Sequence, residues 1–289
     1  MSLLSRWRAL LREQSPVAMA TVIEGPGNSL GGKLLVTPDD HEGGAGNEDL
    51  DRAIVEAARG LLEGGNTETR HFGPRGQRRM EDVAVFIQSF APPPKMYVFG
   101  AIDFASAVAR IGKFLGYRVI VCDARAVFAT RDRFPSADEV VVAWPDDFLK
   151  TAEVDPRRVI CVLTHDPKFD VPVLKAALET PAGYIGAMGS RRTHNNRTAR
   201  LKEEGVSDEQ LGRVSSPIGL DIGSRTPEET AVAIAAEIIA FRTGHTGGRL
   251  AERSGLIHAP DPDVADSPDT EDAKRDAKRE AAGAARDAR

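Results

Sequence analysis

From Lys95 to about residue 245 short apolar runs alternate with amphipathic stretches of helical period, an order that few folds accept. A strand buried on both faces reads as an unbroken apolar run. A crossover helix between two such strands covers one face, and repetition of the unit builds a parallel sheet. The runs are KMYVFG ending at Gly100, YRVIVC ending at Cys122, DEVVVAW ending at Trp144, RRVICVLT ending at Thr164 and AGYIGAMG ending at Gly189. Between the first two, Phe104, Val108, Ile111 and Leu115 recur at helical spacing and Gly116 closes the stripe. The last helix is expected to open at Thr226-Pro227-Glu228-Glu229, where Thr226 caps, Pro227 takes the first helical position and Glu229 returns a bond to the cap. Residues 95–245 are therefore read as a Rossmann-like α/β domain with a parallel sheet.

Ala91-Pro92-Pro93-Pro94 can neither continue a strand nor start a helix interior, so 91–94 is read as a linker. Residues 1–90 are read as a smaller α+β domain. Its strands are Val17 to Glu24, Leu34 to Thr37 and a run from Val83. A glycine-rich loop, HEGGAGNEDLD, feeds a helix carrying Leu50, Ile54, Leu61 and Leu62 that ends at Gly64-Gly65. Leu3, Leu4, Trp7, Leu10 and Leu11 share one face of an N-terminal helix, expected to pack on the body, on a second copy as a homodimer, or on a membrane surface. From 246 on, Asp, Pro, Ala, Arg and Lys replace apolar periodicity, and 246–289 is read as a disordered tail.

Composition narrows the function classes. With 41% hydrophobic and 28% charged residues the chain has ordinary globular usage, and its net charge of -5 offers no basic footprint for nucleic acid. The two cysteines, Cys122 and Cys161, each sit inside an apolar run, so neither a disulfide nor a metal site is expected. No run is long enough for a membrane span and the N-terminus lacks an uninterrupted apolar core of the secretory kind, so a cytoplasmic protein is expected.

In an open parallel sheet ligands bind beyond the carboxyl ends of the strands, where loops diverge and helix N-termini point inward. Those ends deliver Gly100 to Ala105, then Asp123-Ala124-Arg125, then Thr164-His165-Asp166, then Gly189-Ser190-Arg191-Arg192-Thr193. The first is a damaged dinucleotide fingerprint: Gly100 and Ala105 are kept, but Ile102 stands where a central glycine would admit a pyrophosphate, and Asp103 adds negative charge at the helix start. Asp123, 23 residues beyond Gly100, has the spacing of a ribose-binding carboxylate. Gly189 to Thr193 suits a phosphate better, because backbone donors, a hydroxyl and two guanidinium forks meet there, and two arginines otherwise oppose the helix dipole. His165 reads equally as a base, a donor or a local hydrogen-bonding residue. No catalytic set stands out.

Taken in order, GAIDFASAVARIGKFLGYRVIVCDAR, RFPSADEVVV, VLTHD, YIGAMGSRRT and PIGLDIGSRTPEETAVAIAAEIIAFRTG resemble the XdhC/CoxI family, accessory proteins of xanthine and carbon monoxide dehydrogenases. The N-terminal half resembles that family's smaller domain through ATVIEGPGNSLGGKLLV. The resemblance implies a chaperone that binds molybdenum cofactor (molybdopterin or its cytosine dinucleotide), supports its sulfuration with a cysteine desulfurase, and hands it to a molybdenum hydroxylase. It implies that the Gly189 to Thr193 loop, with Gly189, Ser190, Arg191 and Arg192, grips the anion, that Asp123 or Asp221 accepts from pterin or ribose, and that Gly219 and Gly223 of PIGLDIG belong to the site. Two departures stand out. Gly43-Gly44-Ala45-Gly46 lacks the cysteine of many members, and Ile102-Asp103 replaces glycine and histidine. An NAD(P)-dependent oxidoreductase and a scaffold that binds the dehydrogenase without cofactor are the alternatives.

Overall fold

The structure, a computed structural model, describes residues 2–77 and 80–252. The described residues divide into two compact units, one up to Pro92 and the other Pro93–Gly248, with residues 249–252 grouped with the first.

The first unit begins with α1 (Leu3–Arg12), followed by β1 (Val17–Glu24), β2 (Lys33–Val36), β3 (His41–Gly44), α2 (Glu48–Gly64), β4 (Glu68–Phe72) and β5 (Val83–Phe90). Its antiparallel sheet runs β3-β2-β1-β5-β4. Alternate residues of β1, namely Ala18, Ala20 and Val22, join Val83, Val85 and Ile87 in a core closed by Leu50, Ile54 and Ala58 of α2. That alternation is the reason one face of the sheet is dry. Asn47 caps α2 through the amides of Asp49 and Leu50, and Gly65 ends it in the left-handed conformation.

The second unit contains β6 (Lys95–Phe99), α3 (Asp103–Phe114), β7 (Arg118–Asp123), β8 (Glu139–Val142), α4 (Pro145–Thr151), β9 (Val159–Val162), α5 (Pro167–Leu178), β10 (Tyr184–Ala187), α6 (Arg191–Glu203), α7 (Asp208–Leu211), β11 (Val214–Ser215) and α8 (Pro227–Thr243). The six strands are all parallel, in the order β11-β10-β9-β6-β7-β8. Met96 and Val98 of β6 face a layer with α3 and α8, while Tyr97 and Phe99 face the opposite layer with α4 and α5. Burial on both faces explains the unbroken apolar runs. The order reverses between β6 and β9, which places the topological switch point there. Thr226 and Glu229 form the capping box expected at the start of α8.

Several local expectations are corrected. The run toward Trp144 stops pairing at Val142, because Trp144 becomes the N-cap of α4 and Pro145 its first residue. The run toward Gly189 stops at Ala187. His41–Gly44, expected as loop, is a strand paired to β2: the backbone ladder holds it, with Glu42 also paired to Arg6, and Gly43 passes so close to Lys33 that a Cβ would run into the Lys33 carbonyl oxygen. His165 is followed directly by α5, with Asp166 as cap and Pro167 in the first position. Leu4 is 54% exposed, outside the half-buried stripe of Leu3, Trp7, Leu10 and Leu11. Most of the expected tail lies outside the described residues; within them Leu250–Glu252 form a short 3-10 helix. No described helix is long and apolar enough to cross a membrane.

Candidate functional site

Because every strand of the second unit is parallel, the loops carrying the candidate residues all leave the same edge of the sheet. At the switch point Gly100 follows β6 with φ +105°, and a Cβ there would lie 2.7 Å from Thr164 Cγ2 and 2.9 Å from Thr164 N. The two loops therefore touch through a gap that only glycine leaves open. Thr164 itself is buried, and among the described residues its hydroxyl has no hydrogen-bond partner.

Beside this crossing, Asp123 is committed to the protein. Its Oδ2 accepts from Ala101 N and an Arg125 guanidinium nitrogen, each at 2.7 Å, and its Oδ1 accepts from Arg125 N and Nε, each at 2.9 Å. Burial opposes the charge on Asp123, but the Arg125 fork and the two amides outweigh it and hold the carboxyl below its ordinary range. The Arg125 guanidinium lies 4.6 Å from the centre of the Phe128 ring. Asp103, exposed at the start of α3, pairs with Arg133 at 3.2 Å, and Arg133 also donates to Ala101 O. Ile102 is the N-cap of α3 and caps no amide with its side chain.

On the other side of the crossing, Ser190 caps α6 by accepting from Thr193 N, and Arg191 and Arg192 occupy the first two helical positions. They part company there. Arg192, together with exposed His165, lines a pocket of about 240 Å³ between α5 and α6, and Arg191 does not. The pocket also takes in Asp170, Asn196, Arg197 and Arg200, four residues that no strand-end pattern singles out. Arg192, Asn196 and Arg200 recur at intervals of four, a helical-face signal that was present in the sequence. Buried Arg197 donates from one guanidinium nitrogen to Asp170 Oδ2 and Met188 O, both at 2.7 Å. Burial pushes the Asp170 carboxyl up to about 6, with Arg197 drawing it back only in part.

The PIGLDIG segment follows β11 at the same edge. Gly219, at φ +103°, donates its amide to Glu237 Oε2 at 2.7 Å, the carboxylate that also holds the Tyr184 hydroxyl. Asp221 and Gly223 are exposed on this loop and do not line the α5–α6 pocket. Gly189 lies under α6, where a Cβ would meet Thr193 at 3.0 Å. Among the described residues no three His, Cys, Asp or Glu side chains gather as for a metal ion.

Residues 96–238 match the XdhC Rossmann domain, and residues 10–73 match the XdhC and CoxI family. The chain belongs to the XdhC and CoxI family. It is 31% identical over 192 residues to a probable xanthine dehydrogenase subunit of Bacillus subtilis (strain 168), covering 61% of this chain and 56% of the relative. It is 26% identical over 262 residues to the uncharacterized protein YqeB of Escherichia coli (strain K12), covering 85% and 47%. It is 28% identical over 157 residues to the molybdenum cofactor insertion chaperone PaoD of the same organism, covering 54% and 43%. The chain thus spans about half the length of the curated relatives it matches. A solved structure from Bacillus halodurans, described as a xanthine dehydrogenase, aligns over 84% of this chain and 95% of its own at 19% identity and a TM-score of 0.48.

Proposed function

We propose that this XdhC and CoxI family chain is a maturation factor that binds molybdenum cofactor as cargo in the cytoplasm and delivers it to a molybdenum hydroxylase. Support comes from the relationship to PaoD, a molybdenum cofactor insertion chaperone. The observation that carries the reading is the pocket beside the switch point, where His165 and Arg192 meet at the carboxyl edge. The cargo is a pterin bearing a phosphate or a cytidine diphosphate, and on this reading it lies at the carboxyl edge of the sheet, to which the loops at Gly100, Asp123-Arg125, Thr164-His165-Asp166, Gly189-Arg192 and Gly219-Gly223 belong. Support for its sulfuration, through a desulfurase that docks on the loaded carrier, completes the proposal. A carrier must also release what it holds, so docking of the recipient has to favour a conformation with weaker affinity.

The first turn of α3 disfavours NAD(P) in the usual dinucleotide pose. Ile102 crowds the approach to the backbone, Asp103 sets a carboxylate where pyrophosphate docks, and all four acceptor positions of Asp123 are taken. The test is an anaerobic titration of the full chain with molybdenum cofactor released from a molybdoenzyme, beside NADH, followed by transfer to a cofactor-free hydroxylase. Stoichiometric binding and restored hydroxylase activity are expected. Binding of NADH without the cofactor would overturn the proposal.

A further inference from the structure

Arg192 and Arg200 lie eight residues apart on α6, about 12 Å along its axis at 1.5 Å per residue, with Asn196 midway between them. Both are exposed, and among the described residues no carboxylate lies within 4.0 Å of either. Arg197, which the same pocket exposes at its floor, is different: Asp170 already neutralises it, and its hydrogen bonds to Met188 O and Asp170 tie α6 to the end of β10 and to α5. The pocket therefore holds two uncompensated guanidinium groups. One of them stands in the first turn of a helix, where a positive charge is unfavourable unless an anion sits beside it.

A second observation is independent of those charges. Asp170 and Arg197 are 2% and 5% exposed, yet among the described residues Asp170 Oδ1 and Arg197 Nε have no hydrogen-bond partner, and both residues line the pocket. A buried ion pair left with open hydrogen-bonding positions is costly in a wall that only packs, since apolar side chains of similar volume do as well or better. It suits a site whose polar floor is completed when something enters.

We infer that the pocket between α5 and α6 is a phosphate site, in which Arg192 and Arg200 grip the oxyanion, Asn196 and Thr193 donate between them, and the Asp170–Arg197 pair sets the floor and the spacing of the two helices. The ligand class is a phosphate ester or diphosphate. Guanidinium forks match phosphate oxygens in geometry as well as charge. The inference rests on the carrier reading only for the identity of the bearer, a phosphorylated pterin or its dinucleotide. His165, on the pocket rim, would meet the part of the ligand that extends toward the switch point.

The test is calorimetric titration of the full chain with inorganic phosphate and with pyrophosphate at fixed ionic strength. It is repeated for Arg192→Ala/Arg200→Ala and for Lys175→Ala/Lys202→Ala, which removes two positive charges from the same helices outside the pocket. Saturable binding is expected, weakened at least tenfold in the arginine variant and within twofold of the parent in the lysine variant. Tighter binding of pyrophosphate assigns a diphosphate and equal binding a monoester; both support the site. No saturable binding of either probe, or equal weakening in the two variants, overturns it. Circular dichroism establishes that each variant is folded, with Arg192→Gln as the milder substitution if the double variant is not. Cofactor binding that survives Arg192→Ala/Arg200→Ala would overturn this assignment and leave the carrier reading intact. Pyrophosphate binding without any cofactor binding would do the reverse.

Discussion

Replacing Gly100 by alanine probes the geometry on which the site depends. The residue sits at φ +105°, where a side chain costs roughly 1–2 kcal/mol. The added Cβ would also lie 2.7 Å from Thr164 Cγ2, 2.9 Å from Thr164 N and 3.2 Å from Leu163 C. Two of these are backbone atoms of the loop leaving a central strand, so neither can swing away, and overpacking of this kind costs roughly 1–3 kcal/mol. The two effects together come to about 4 kcal/mol. Gly116→Ala separates the two causes: its φ is +84° and nothing lies within 4 Å of a Cβ, so it should cost the conformational part alone, about 1–2 kcal/mol. The chain has two tryptophans, Trp7 in the first unit and Trp144 in the second. Urea unfolding followed by fluorescence in a Trp7→Phe background thus reports on the Rossmann unit. Adding Thr164→Ser to Gly100→Ala removes the Cγ2 contact and should return only part of the loss, because the contact with the Thr164 nitrogen remains. A Gly100→Ala loss no larger than that of Gly116→Ala would refute the close approach of the two loops.

Asp170→Asn should alter how stability depends on pH. A carboxyl raised to about 6 in the folded chain, against about 3.9 unfolded, binds its proton more tightly when folded. Its contribution is therefore greatest below pH 4, falls as pH rises to 6 and is constant above, by up to about 3 kcal/mol. The difference between parent and Asp170→Asn, from unfolding at pH 4.5 and 7, should change in that sense; parallel curves would contradict it. Burial raises the Cys122 and Cys161 thiols to about 12, so both should resist an aromatic disulfide reagent in the native chain and react on unfolding. Rapid labelling without denaturant would show the strands to be open. Thr226→Ala removes the oxygen that accepts from Glu229 N and should cost about 1 kcal/mol in urea unfolding of the second unit, whereas Thr226→Ser should cost little.

Much of the second unit was legible because its signals are local. Apolar runs, the Phe104 to Leu115 stripe and the Thr226 box act within a few residues, and each predicts its own element. Strands held by partners rather than by patterning were missed. Glu68–Phe72 is polar at its first four positions and lies at a sheet edge, and His41–Gly44 carries two glycines whose place is set by β2. The pocket was half legible: His165 and Arg192 stand at strand ends, but Asp170 and Arg197 lie within helices, where charged residues ordinarily face water.

By itself the sequence determined a parallel α/β unit, a second smaller α+β unit and the edge at which polar loops gather, since periodicity and caps act over distances of a turn or two. Only the tertiary structure decided which of those polar groups are already engaged. Asp123 is filled by Arg125 and the Ala101 amide 22 residues away, and Asp170 is joined to Arg197 across 27 residues. Among the described residues, Arg192 and Arg200 meet no carboxylate on the pocket wall. Charge pairing inside a fold depends on burial and distance between elements far apart in the chain, and neither quantity is encoded at any single position.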